Sequence, residues 1–232
     1  MKVAFFDIDG TIVAPFTAGL YLSFLSEQGK FRKESIKIFF RETDEYVSKK
    51  KTYEQLAACW GKELGEGLKG YTKKDVELVT EAFWRVVKPR IAPWAKKVIE
   101  LFNNNGYTTI AISGSTIELL NLYQKKLGLQ QIFASTAEVI NGMYTGNILL
   151  NLVLQEEKEM IVNEIIKNES VNLENSFGFG DNEHDRAFLD KIGNPVCIIS
   201  ESNLRQYAEE KGWRIFNFND DVYSNIKNSI VE

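Results

Sequence analysis

The stretch Val3-Ala4-Phe5-Phe6-Asp7-Ile8-Asp9-Gly10-Thr11 decides how this chain reads. Val3 to Phe6 is an uninterrupted apolar run, which predicts a buried strand. It stops on two carboxylates separated by a single residue, and a Gly-Thr turn follows at once. In α/β sheets, ligands sit just beyond the carboxyl ends of the strands. Two acids at such a place are costly to desolvate unless they bind a cation or do chemistry. A plain surface turn is the alternative, because Asp and Gly are common turn formers.

The same construction recurs downstream. Ile110-Ala111-Ile112 leads into Ser113-Gly114-Ser115 about 100 residues later, again an apolar run ending on small polar groups. The Ser113 hydroxyl and the Gly114 N–H can hold phosphate oxygens, helped by the N-terminus of a following helix. Taken alone, such a tripeptide serves equally as a strand-to-helix turn and cap. Phe177-Gly178-Phe179-Gly180 then delivers Asp181, Asn182, Glu183, His184 and Asp185 at a further strand end.

Between these motifs the apolar spacing changes character. From Phe16 to Val87 apolar residues recur every three or four positions, as in Leu20, Phe24 and Leu25, then Ile36, Phe39 and Phe40, which predicts about four helices. Thr72 with Asp75 resembles a capping box. So many helices between one strand and the next exceed a single crossover and predict an inserted cap. From Trp94 onward helix and strand alternate: helix Ala95–Phe102, strand Tyr107–Ile112, a helix to Leu127 and strand Ile132–Ser135. A hairpin over Glu138–Leu150 turns at Asn141-Gly142. Helix Glu156–Lys167, strand Ser176–Gly180, a helix from Glu183, strand Val196–Ile199, helix Asn203–Lys211 and strand Arg214–Phe218 complete the pattern. Alternation of this kind predicts an α/β fold, a Rossmann-like parallel sheet with helices on both faces. The expected division is a catalytic core over 1–14 and 91–232 and a helical cap domain over 15–90.

Composition bounds the function. With 232 residues and 44% hydrophobic content, the chain can bury one good core and a small second one. No apolar stretch approaches the roughly 20 residues that span a bilayer, and Asp7 and Asp9 interrupt any leader-like start. Cys59 and Cys197 stand far apart without Cys or His company and read as buried thiols. A cytoplasmic protein without membrane partner is expected. The net charge of −4 is too mild to imply a nucleic-acid partner. It is unevenly spread: Pro15–Arg90 holds 15 Lys and Arg against 11 Asp and Glu, a local +4 that leaves −8 elsewhere. A basic segment beside an acidic core suits an anionic substrate; ordinary surface charge accounts for it equally well.

In the order and placement of these strand-end motifs, the chain resembles the haloacid dehalogenase-like phosphohydrolases. More narrowly it is similar to the branch that includes phosphoserine phosphatases. Ala134-Ser-Thr-Ala-Glu138, Asn141-Gly-Met-Tyr-Thr-Gly146 and Gly193-Asn-Pro195-Val196 add to the likeness. The resemblance implies Mg²⁺ as cofactor and Asp7 as nucleophile, taking a phosphoryl group as an aspartyl-phosphate. It implies Asp9 as the acid that protonates the leaving oxygen and the base that deprotonates water, with its backbone carbonyl a metal ligand. Gly10 and Thr11 would form the tight turn. Ser113 and Gly114 would bind phosphate with Lys158, chosen over Lys167 by order and by its place near a helix start. Asp7, Asp9 and Asp181 would hold the metal, and Asp185 would support Lys158 or a metal-bound water.

The implied activity is hydrolysis of a small phosphorylated metabolite. A phosphotransferase or mutase would use the same aspartyl-phosphate, and a non-catalytic phosphate-binding regulatory domain is the remaining alternative. Two departures bear on the substrate. Nine residues after the nucleophile, where phosphoserine phosphatases place a glutamate for the substrate's amino group, this chain has Phe16, and Gly10 replaces the usual Ser. Both speak against phosphoserine. His184 stands where the family usually has Asn, either as a hydrogen-bonding replacement or as a protonation sensor. In the cap, Tyr21, Arg32, Arg41, Tyr46 and Arg85 are candidate substrate contacts, whereas Trp60, Phe83, Trp84 and Trp94 are expected in the core.

Overall fold

A computed structural model describes residues 1–199 and 204–231. Seven strands form one sheet: β1 (Lys2–Phe6), β2 (Tyr107–Thr116), β3 (Gln131–Ile140), β4 (Met143–Leu150), β5 (Phe177–Gly180), β6 (Asn194–Ile199) and β7 (Arg214–Asn217). Their order is β4-β3-β2-β1-β5-β6-β7, and every pairing is parallel except β3 with β4. β1 therefore lies in the middle, flanked by β2 and β5. The three apolar runs picked out by the sequence are neighbours, and their carboxyl ends face the same way.

Side-chain alternation on β1 divides the core. Val3 and Phe5 pack on one face with Ile110 and Ile112, under α7 (Gln155–Asn168), α8 (Arg186–Leu189) and α9 (Leu204–Lys211). Ala4 and Phe6 pack on the other, under α5 (Ala95–Asn104), α6 (Ile117–Leu127) and α10 (Val222–Val231). Both faces are buried, which is why the strand reads as a continuous hydrophobic run. Residue 203, the expected start of the helix before β7, lies outside the described residues.

Four helices follow β1 as the insert: α1 (Thr17–Glu27), α2 (Lys33–Val47), α3 (Tyr53–Leu68) and α4 (Lys73–Val87). Their apolar faces, with Tyr21, Leu25, Leu64 and Phe83, join the same buried cluster as Phe6 and Ala4. The complete capping box belongs to Thr52 and Gln55 at the start of α3; Thr72 accepts from the Asp75 N–H. The cap is also laced to the sheet. Gly70 N–H donates to the Tyr144 carbonyl (2.9 Å), Tyr144 N–H to Tyr71 (3.0 Å) and Lys73 N–H to Gly142 (2.9 Å). Where α3 crosses β4, a Cβ on Gly65 would collide with the Gly146 carbonyl.

Two local secondary-structure expectations need adjusting, at β3 and after β7. The strand expected at Ile132–Ser135 and the first arm of the hairpin are one strand, β3, whose register shifts around Thr136 and Ala137 let it pair with β2 and then β4. The hairpin turns at Asn141-Gly142, both at positive φ. The segment after β7 forms a further helix, α10, that the sequence reading passed over. Cys197 is buried and Cys59 half-buried, both free thiols. Among the described residues no helix is long and apolar enough to cross a membrane.

Candidate active site

Asp7 follows β1 directly, and its N–H donates to the Phe179 carbonyl of β5 (2.9 Å), which fixes its carboxylate at the sheet's carboxyl edge. The chain then turns sharply. Gly10 adopts φ 100, its N–H donates to Val13 (2.7 Å), and the N–H groups of Thr11, Ile12 and Val13 converge on the Ile8 carbonyl. A Cβ at position 10 would meet the Asp181 carboxylate, so glycine here allows the close approach and the positive φ together. Thr11 Oγ1 donates to Asp181 Oδ1 (3.3 Å), tying the turn to the end of β5.

Lys158, one turn into α7, is 5% exposed and reaches both neighbouring acids. Its Nζ donates to Asp7 Oδ1 (3.2 Å) and Asp185 Oδ1 (2.5 Å). Asp185 Oδ2 accepts the N–H groups of Asp181 and Asn182, both at 3.0 Å. Oxygen atoms of Asp7, Asp181 and Asp185 lie within 4.8 Å of one another, all three side chains buried. Lys158 thus bonds two of the three carboxylates, Asp7 and Asp185. Burial, with Asp185 beside it, pushes the Asp7 carboxyl up to about 7 despite Lys158. Burial works against the Lys158 ammonium, yet Asp185 and Asp7 outweigh it and hold its pKa above the ordinary range. Oxygen-rich, anionic and buried, the donor set fits a hard divalent cation.

Asp9 stands apart from that cluster. Its Oδ1 accepts Thr17 N–H (2.9 Å) and its Oδ2 accepts Ala18 N–H (3.1 Å), so it satisfies the open donors of α1. Phe16, in the left-handed conformation at φ 62, turns the chain so that these N–H groups point back at Asp9. Burial raises the Asp9 carboxyl to about 6, with the two N–H donors opposing.

Ser113 and Gly114 lie near the end of β2, which continues to Thr116 before α6 begins. Ser113 Oγ accepts Ser115 N–H (3.2 Å), and the Gly114 carbonyl accepts Trp60 Nε1 (3.2 Å) and Ser135 Oγ (2.8 Å). A buried hydroxyl without a hydrogen-bond partner, Ser115 Oγ, belongs to the same wall. A cavity of about 250 Å³ joins Asp7, Asp9, Ser113, Gly114, Lys158 and Asp181. Lys167, the rival of Lys158, lies in the last turn of α7.

The cap side of the cavity differs from expectation. Its wall is formed by Phe39, Tyr53, Leu56 and Trp60, with Phe16 at the edge. None of the five cap residues singled out by charge or hydroxyl lines it. Tyr21 is buried against Thr80 (2.6 Å), and Arg32 and Arg41 pair with Glu66 and Glu42. Trp60, expected in the core, is a wall residue that also holds the Gly114 loop. The signal was present in the sequence: Tyr53, Leu56 and Trp60 fall at i, i+3 and i+7 on one helix face. The insert's excess of Lys and Arg contributes no cation to this cavity among the described residues. His184 lies flat on Tyr53, ring centroids 3.6 Å apart at 18°, with Nδ1 3.3 Å from Gln155 Oε1. Burial lowers its pKa.

A profile of the haloacid dehalogenase-like hydrolases matches residues 4–190, spanning all of these strand ends. The chain belongs to this family. Phosphoserine phosphatase SerB1 of Mycobacterium tuberculosis is 25% identical over 233 residues, 93% of this chain and 70% of that protein. A haloacid dehalogenase-like fold is equally evident in solved structures. A protein of unknown function from Bordetella pertussis superposes with a TM-score of 0.77 at 21% identity, covering 94% of this chain and 98% of that one. A phospho-aspartyl intermediate analogue of phosphoserine phosphatase does so with a TM-score of 0.67 at 23% identity, covering 98% of each. Membership in this family makes the chain a haloacid dehalogenase-like hydrolase.

Proposed function

We propose that the chain hydrolyses a small phosphomonoester with Mg²⁺ through an aspartyl-phosphate on Asp7. The observation that carries this reading is the position of Lys158, bonded at once to Asp7 and Asp185 within reach of Asp181. That arrangement orients the Asp7 carboxylate and leaves it open on its cavity side, while Lys158 opposes the rise that burial imposes on it. Asp7 and Asp181 are the carboxylates suited to hold the cation, together with the Asp9 carbonyl; Asp185, engaged by Lys158 and two N–H groups, orients. Bound there, Mg²⁺ would offset the repulsion between the nucleophile and the phosphoryl oxygens.

Asp7 attacks phosphorus as the bond to the leaving oxygen breaks in line, and Asp9 donates the proton that the leaving alkoxide needs. Lys158, Ser113 and the Gly114 N–H take up charge on the transferring oxygens. Water then attacks the acyl phosphate, Asp9 accepts its proton, and inorganic phosphate leaves with Asp7 restored. A carboxyl raised to about 6 suits Asp9 for both transfers near neutrality. The basic reading is tested with p-nitrophenyl phosphate in Mg²⁺ and in EDTA. Magnesium-dependent release that Asp7→Asn abolishes is expected; full activity of that variant, with deamidation excluded, overturns the mechanism. Product analysis with competing alcohols separates hydrolysis from transfer.

A further inference from the structure

The cavity has two unlike ends. Among the described residues, every Asp, Glu, Lys or Arg that lines it (Asp7, Asp9, Lys158, Asp181 and Asp185) sits at the phosphate end and belongs to the core strands' carboxyl edge or to α7. The opposite wall is built from Phe39, Tyr53, Leu56 and Trp60, continued on the core side by Leu152 and Val153. Two of its polar tips are already engaged: Trp60 Nε1 donates to the Gly114 carbonyl, and the Thr43 hydroxyl donates to the Phe39 carbonyl (2.9 Å). Phe39 and Trp60 meet edge to face, centroids 4.6 Å apart at 63°, the arrangement into which a further flat ring packs.

We infer that the substrate's alcohol portion is uncharged and apolar, a short hydrocarbon or single flat ring, and that the wall disfavours amino-acid and amino-alcohol phosphates. This substrate class rests on the phosphatase reading above. An ammonium or carboxylate carried on the leaving group would be stripped of water against rings that offer no opposite charge. A ring or alkyl chain in the same place loses only unfavourable contact with water. The volume of about 250 Å³ suits a phosphoryl group with one such substituent and is small for a nucleotide.

The test compares alkyl esters of similar leaving-group basicity, so that chemistry does not mask recognition. With Mg²⁺ present, kcat/KM for 2-phenylethyl phosphate is expected to exceed that for phosphoserine and phosphoethanolamine on the order of a hundredfold or more. Leu56→Arg is expected to narrow that ratio at least tenfold by favouring the phosphoserine carboxylate; Leu56→Gln carries the same comparison at smaller amplitude if the arginine variant does not fold. A charged ester turned over as well as the phenylethyl ester overturns the inference and leaves the phosphatase reading standing. Absence of turnover with every ester, p-nitrophenyl phosphate included, overturns both.

Discussion

Tyr53 of the cap and His184 of the core lie face to face, 3.6 Å between ring centroids, one residue from Asp185. This stack joins the two parts of the molecule at the mouth of the cavity. Aromatic pairs of this kind contribute about 0.5–1.5 kcal/mol beyond their burial. His184→Ala and Tyr53→Ala are each expected to lower kcat/KM by about threefold to tenfold, chiefly through KM, with little change in Tm. A double-mutant cycle on kcat/KM checks the relationship, since the second substitution should add almost nothing to the first; fully additive effects would show that the stack does not act as a unit.

Lys158→Ala should be severe in two separate ways. Removing one partner from a buried charged cluster costs about 3–5 kcal/mol, because Asp7 and Asp185 lose their shared ammonium. Tm in EDTA should fall accordingly, and Mg²⁺ should recover a larger part of it than it adds to the wild-type chain. Activity should drop at least about a thousandfold even in saturating Mg²⁺. Differential scanning fluorimetry with and without MgCl₂ reads the first effect, and steady-state kinetics the second.

Stability without metal should depend on pH with a definite sign. Burial pushes the Asp7 carboxyl up to about 7 and the Asp9 carboxyl up to about 6, above the ordinary carboxylate range. A group whose folded pKa is raised adds stability that is complete below its unfolded pKa, near about 4, and is lost as pH rises through the folded value. Tm in EDTA should therefore decline between pH 5 and pH 8, at about 2–4 °C per kcal/mol for a chain of this size. The rise in Tm on adding Mg²⁺ should be larger at pH 8 than at pH 5, because protons compete for the same oxygens. Asp7→Asn should flatten the decline; an unchanged slope in that variant would assign the effect to other groups.

Asp9→Asn separates chemistry from architecture. An amide can accept only one of the two N–H bonds from Thr17 and Ala18, so α1 loses part of its anchorage, worth about 1 kcal/mol. Loss of proton transfer should lower kcat by about a hundredfold to ten-thousandfold. The leaving group decides whether the second effect is chemical: p-nitrophenyl phosphate, which needs no protonation, should suffer less in the first step than an alkyl ester. Equal losses on both would place the defect elsewhere.

Much of this site was legible because it is built on strand ends. Buried parallel strands show themselves as short apolar runs, and a charged residue that stops such a run abruptly marks the carboxyl edge of the sheet. Asp7 and Asp181 stand out in this way, with the small polar Ser113 in the same place on its own strand, and the central position of β1 agrees with its being apolar on both faces. Lys158 gave a weaker signal, since Glu156-Glu157-Lys158-Glu159 looks like any solvated helix surface until the turn of α7 points one of them inward. Tyr53, Leu56 and Trp60 were missed for a related reason. An apolar stripe on a helix is the same whether it faces a core or a cavity, and only the tertiary position of α3 distinguishes the two. The hold of Asp9 on α1 depends on Phe16 taking a left-handed conformation, unusual for an aromatic residue and invisible to propensity. The helix α10 follows a run of Asn and Asp that reads as a terminus, although Val222 and Ile226 seal one face of the sheet.

The lacing of Gly70–Lys73 to Gly142–Tyr144 has a consequence for the chain's behaviour in concentrated solution. β4 is the outermost strand on its side of the sheet, the kind of border at which a second molecule can add a strand and begin to aggregate. The insert occupies part of that border with its own backbone, and α3 crosses the strand at Gly146. The segment that walls the cavity thus also shields the molecule from its own copies. A version trimmed to the sheet and its flanking helices would lose solubility together with selectivity.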